Sequence, residues 1–136
     1  MYTTIESLQK MLPDAILRRL SDDADAGEFQ EDILNESLNS AAAEIDMYIS
    51  VRITPPSEEP YPDILSKLNL DIGIYNLYSR LKEEIPGTRQ VRYDNAIRML
   101  KDFAAGKAEI AGLVVRIPAI IFSRDRIFTE AFMETF

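Results

Sequence analysis

Four of the nine residues in the stretch "TPPSEEPYP", residues 54–62, are proline. A proline ring crowds the preceding helical turn and brings no amide hydrogen, so no helix can cross this segment. The runs on either side both carry a helical period. Phe29, Ile33, Leu34, Leu38, Ala41, Ala42, Ile45, Tyr48 and Ile49 recur at 3.6-residue spacing and predict a long helix over 29–53. Ile64, Leu65, Leu68, Ile72, Tyr75 and then Tyr78 or Leu81 predict a second over 62–84. The chain is thus expected to be mainly α, with its long helices separated by a stiff link.

Two details bear on how those helices meet. The triple alanine at 41–43 leaves room for a neighbour to come close. Gly73 costs about 1 kcal/mol relative to alanine inside a helix, so close packing is the expected reason for it.

Before the first long helix, Thr4 can cap a short one ending near Leu12, with Ile5, Leu8 and Leu12 on one side. Pro13 suits the start of another, which carries Ile16, Leu17 and Leu20. "DDADAG" reads as a loop, because short carboxylates take backbone donors that a helix would otherwise use. After the second long helix, Thr88 is expected to cap a third. Its inner face is expected to hold Val91, Ile97, Leu100 and Phe103, with Gly106 as its stop.

Beyond Gly106 the pattern changes. "IAGLVVRIPAIIF" is β-branched and nearly continuous, which predicts extended chain, and Pro118 confines it to an edge. Phe128, Phe132 and Phe136 then recur every fourth residue on one side of a possible terminal helix. The fold expected is a small bundle of about four to five helices with an extended, partly β C-terminal arm. Its division is 1–108 for the helical domain and 109–136 for the arm.

Composition removes much chemistry. The 136 residues suffice for one domain with its own core. The chain has no cysteine and no histidine, so disulfides, thiolate zinc sites and the commonest general base are absent. The acids of "DDADAG" lack the EF-hand ligand order, since Ile33 stands where a glutamate should if Asp22 is first. "AAGKA" is not a phosphate-binding loop, because Lys101 replaces its first glycine and alanine follows the lysine. Adjacent carboxylates such as Glu58/Glu59 and Glu83/Glu84 fall on flanks and in loops, whereas acid–base catalysis needs a buried pair with split pKa values. The expectation is no enzyme, no cofactor, no metal and no small-molecule ligand. No stretch is both long and apolar enough for a bilayer, so a soluble intracellular protein is expected.

The net charge of −8 is uneven. Residues 1–62 hold four basic and thirteen acidic side chains, and between 21 and 59 a single base, Arg52, stands among eleven acids. That half repels a phosphate backbone. Arg89, Arg92, Arg98 and Lys101 cluster on the last long helix, but Asp94 and Asp102 dilute them, and ion pairs with the acidic long helix are expected to absorb them.

Taken in order, these parts resemble the Mu-like phage and prophage head–tail connector (adaptor) family. The likeness begins at "MYTTIESLQKMLP", continues through "LSDDADAGEF", "SAAAEIDMYISVR" and "LNLDIGIYNLYSR", and is most specific in "RYDNAIRMLKDFAAGK". "SRDRIFTEAFMETF" is similar to a terminal segment of many members, whereas "AEIAGLVVRIPAIIF" departs from the pattern. The resemblance implies a virion assembly protein made in the host cytoplasm. It would form a ring with copies of itself between portal and tail proteins while DNA passes through the centre without specific binding. An acidic face at Asp32, Glu36 and Glu44 would repel the passing DNA. Arg116, Ile117, Ile120, Phe122, Arg124, Arg126, Phe128, Phe132 and Phe136 would contact neighbouring molecules. The alternatives are a cytosolic protein-binding module or regulator encoded by a prophage and, more remotely, a carboxylate-based hydrolase.

Overall fold

The Thr4 hydroxyl accepts the Ser7 amide at 3.2 Å, and this cap starts α1, Ile5–Met11. In this computed structural model, which describes residues 1–81 and 84–113, four more helices follow. They are α2, Asp14–Ser21; α3, Glu31–Ile49; α4, Asp63–Ser79; and α5, Gly87–Ala104. The described residues contain no strand, and the mainly α bundle is as expected. The extended, partly β arm lies outside the described residues from 114 onward.

The helices α3, α4 and α5 form the centre, with the most extensive contact between α3 and α4. One face of α3 is buried through Leu34, Leu38, Ala41, Ala42, Ile45 and Ile49, the stripe its spacing predicts. Ala43 is exposed and takes no part in the close approach. That role falls to Gly73, where an added Cβ would sit 2.8 Å from Leu38 Cδ2. The missing side chain lets α3 and α4 touch.

Burial extends around much of α4: Leu65, Leu68, Asn69, Asp71, Ile72, Ile74, Leu77 and Tyr78 are all enclosed. Neighbours on several sides explain this, since α4 packs against α2, α3 and α5. The enclosed Asp71 keeps its charge partnered by Lys67 at 2.8 Å, one helical turn away.

Several boundaries differ from the sequence expectation. The helix predicted to reach residue 84 ends at Ser79, where Arg80 turns its guanidinium to the Leu20 carbonyl at 2.7 Å and to Asp23. Thr88 does not cap α5; Pro86 precedes the helix and its carbonyl accepts the Arg89 and Gln90 amides. Val91 is 57% exposed rather than buried, because the inward side of α5 is set by Ala96, Leu100 and Phe103. Gly106 does stop α5, at φ +79°, in the left-handed region that a side chain disfavours.

Two buried clusters result. One joins α1 and α2 to the first half of α3 and the end of α4 through Leu8, Leu12, Leu17, Leu20, Leu34, Leu38, Ile74, Leu77 and Tyr78. The other joins the rest of α3 and α4 to α5 and includes Tyr2, Ile45, Ile49, Leu68, Ile72, Leu100, Phe103 and Ile110.

Candidate protein-contact surfaces

The acidic flank begins in the loop after α2. Both oxygens of the Asp22 carboxylate accept backbone amides, from Ala26 at 2.8 Å and Gly27 at 2.7 Å. The Ala26 amide is the largest influence holding this carboxyl below its usual range, with smaller help from Gly27, Gln30 and Arg18. The loop's acid is therefore turned onto its own backbone. Among the described residues no group of three or more acidic side chains is placed to hold a metal ion.

Along α3, Asp32 and Glu36 are exposed, while Glu44 is half-buried. Glu44 accepts a 3.3 Å hydrogen bond from the Tyr93 hydroxyl of α5. Tyr93 lies flat on Tyr75 of α4, with ring centroids 3.8 Å apart at 14°. Burial first, and then the Glu44 charge and hydrogen bond, push the Tyr93 hydroxyl up to about 12. Glu36 and Glu44 share a polar groove of about 420 Å³ with Ser37, Ser40, Asn76, Ser79 and Arg80. Of the three acids expected on one face, two are open to solvent and the third is engaged by α5.

The expected pairing of the α5 cations with α3 does not form among the described residues. Arg92, Arg98 and Lys101 are exposed. The ion pairs seen are Arg52–Glu109, Lys67–Asp71 and Arg80–Asp23. The helical period is the reason for Arg98, which lies on the side of α5 opposite the inward Ala96, Leu100 and Phe103.

Arg52, the lone base of the acidic stretch, holds the chain as it leaves α5. Its guanidinium donates to the carbonyls of Phe103 at 2.9 Å and Ala108 at 3.2 Å, and to Glu109 at 3.0 Å. It also lies 4.6 Å from the centre of the Phe103 ring. Ile110 is buried in the core and Leu113 packs against it, so the segment assigned to an arm from 109 begins on the bundle. Next to that exit lies an apolar groove of about 650 Å³ formed by Pro62, Asp63, Ile64, Lys67, Ala111 and Gly112.

The opposite terminus is also clamped. The Tyr2 amide donates to Asn69 Oδ1 at 2.6 Å, its carbonyl accepts the Ser66 hydroxyl at 2.6 Å, and its own hydroxyl donates to Asp46. Its ring meets Tyr61 edge-on at 5.1 Å. Neither clamp was foreseen from the sequence. The available signals were an asparagine at position 69 among apolar helix residues and an isolated arginine at 52. The anticipated contact residues Arg116, Ile117, Ile120, Phe122, Arg124, Arg126, Phe128, Phe132 and Phe136 all lie outside the described residues.

The protein-family model described as Bacteriophage Mu, Gp36 matches residues 2–113, from the Tyr2 clamp to Leu113, the last of the described residues. The chain belongs to this family. It is therefore a phage-type protein, and its five-helix bundle is the part that the family pattern covers. Among curated proteins none matches it. No helix among the described residues is long and apolar enough to cross a membrane. The terminal aromatic row at 128–136 lies beyond the family match.

Proposed function

We propose that this member of the Mu Gp36 family is a head–tail connector that acts by binding other virion proteins and carries out no catalysis. Copies of it form a ring between portal and tail proteins, with DNA passing through the centre. The observation that carries this reading is the family match across the entire described bundle, which makes the chain a phage protein. Two further features support an assembly role. The described residues, up to Leu113, have their own buried core with both ends of the described chain clamped to it, and we assign the aromatic row Phe128, Phe132 and Phe136, outside the described residues, to contact with other molecules. The exposed Asp32 and Glu36, in a half of the chain with few bases, give a surface over which DNA can pass without adhering.

In assembly, the row Phe128, Phe132 and Phe136 supplies the apolar contact to the adjoining protein, and Arg124 and Arg126 supply its charge. The test is to produce the chain with the portal and tail proteins of the same phage genome and examine the products by sedimentation and electron microscopy. Ring particles, or co-purification with the portal that is lost when Phe128, Phe132 and Phe136 are replaced by serine, support the role. A chain that stays monomeric at high concentration and ignores both partners overturns it in favour of a prophage regulator.

A further inference from the structure

We infer that the first part of the C-terminal segment, residues 114–122, docks in the apolar groove of its own bundle, so that only the later residues reach outward. This deepens the connector reading and rests on it only in giving residues 123–136 to a partner. The anchoring itself concerns the chain before any assembly.

The exit geometry comes first. Ile110 is buried, Arg52 holds the carbonyls of Phe103 and Ala108, and the Leu113 amide closes a turn onto the Ile110 carbonyl at 3.2 Å. Gly112 sits in that turn at φ +90°, and an added Cβ would meet Pro62 Cγ at 3.0 Å. The chain is thus pressed against Pro62 as it leaves, and Ala111 and Gly112 form one wall of the groove. The segment "VVRIPAIIF" follows directly in sequence on Leu113, the residue next to that wall. At about 3.3 Å per residue, nine extended residues are long enough to cross a cleft of this size.

Chemistry matches on both sides. The groove wall is Pro62, Ile64 and the aliphatic stem of Lys67, whose ammonium is drawn away to Asp71. The segment offers valine, isoleucine and phenylalanine, with a single charge at Arg116. The groove's remaining charge is Asp63, which is exposed and makes no ion pair among the described residues. Arg116 lies three residues beyond Leu113, within reach of Asp63. A short tether also holds the segment at an effective concentration on the order of millimolar, which a second copy must exceed to displace it.

The absence of native cysteine makes the test direct. The full chain carrying Ile64→Cys with either Ile117→Cys or Ile120→Cys is oxidised with glutathione disulfide at low protein concentration and run on a non-reducing gel. A fast-migrating monomer with an internal bridge is expected from at least one pair. A covalent dimer instead means that the occupant is another copy, and no bridge from either pair means that the groove does not take this segment; both overturn the inference. If Ile64→Cys unsettles the bundle, Ala111→Cys with Phe122→Cys asks the same question from the exposed wall. Asp63→Lys or Arg116→Glu should each slow bridging about two- to fivefold, and the two together should restore it. A bridged monomer that nevertheless fails to assemble with portal and tail would leave the anchoring in place and sink the connector role alone.

Discussion

Around α1 and α2 the interior is almost wholly aliphatic, built from leucines that the helices themselves turn inward. Around α5 it holds Tyr2 and Phe103, with Tyr48, Tyr61 and Tyr93 at its margin, and both ends of the described chain lie on it. The difference follows from what each cluster must cover. A helix satisfies its own amides and carbonyls, so burying its apolar stripe is enough. Irregular chain laid on a core brings free backbone groups that need side-chain partners. Asn69 and Ser66 meet that need at Tyr2, and Arg52 meets it at Phe103 and Ala108. The aliphatic cluster shows the same rule where the chain leaves α2. The buried Ser21 hydroxyl donates to Leu17 and accepts the Gln30 amide, and Arg80 donates to the Leu20 carbonyl.

The sharpest way to break this contrast is to excavate one cluster and watch the other. Phe103→Ala removes a fully buried ring and the surface on which Arg52 rests, and should cost about 3–5 kcal/mol. Leu20→Ala in the aliphatic cluster should cost somewhat less, about 2–4 kcal/mol. Urea unfolding followed by circular dichroism gives both values, and amide exchange shows where protection goes. Loss confined to α5 and residues 108–113 in Phe103→Ala would make the clusters separable; uniform loss would make them one cooperative unit.

A smaller effect tests the clamps themselves. Asn69→Ala leaves the buried Tyr2 amide without an acceptor and should cost about 1–3 kcal/mol, with the Tyr2 amide exchanging much faster. An unchanged exchange rate at Tyr2 would mean that the terminus is held by its ring alone.

Alkaline titration should give the smallest effect. The folded state holds the Tyr93 hydroxyl at about 12 and raises that of Tyr2, both chiefly by burial, against an ordinary value near 10. Because the neutral form is favoured in the fold, this stability is fully present below pH 10. It is lost as pH rises from there through the folded values. Tyrosinate absorbance and helical signal followed together should show the fold weakening across that window, and Tyr93→Phe should remove its share of the slope. A slope unchanged in Tyr93→Phe would mean that Tyr93 does not contribute.

Much of the bundle could be read in advance because its causes are local. The α3 stripe, the Thr4 cap, the Gly106 stop and the need for a small residue at position 73 all follow from helical period or backbone freedom. Errors arose where neighbours chose. Val91 has the right residue type for a core but sits on the wrong side of α5, and Thr88 gave way to Pro86 as the cap. The candidate surface was legible only in part: Asp32 and Glu36 are exposed as expected, while Glu44 is engaged by a tyrosine from another helix.

The amino-acid order alone determined that this chain makes helices broken at residues 54–62, that it lacks thiol and imidazole chemistry, and that its first half is acidic. Period, proline sterics and composition act within a few residues and need no partner. Tertiary structure alone decided that Asn69 clamps the chain at Tyr2 and Arg52 clamps it at Phe103 and Ala108, that the α5 cations remain unpaired with α3, and that an apolar groove lies beside Ala111 and Gly112. The two clamps join residues more than fifty positions apart, and the rotation of each helix about its axis is fixed only when the others pack against it.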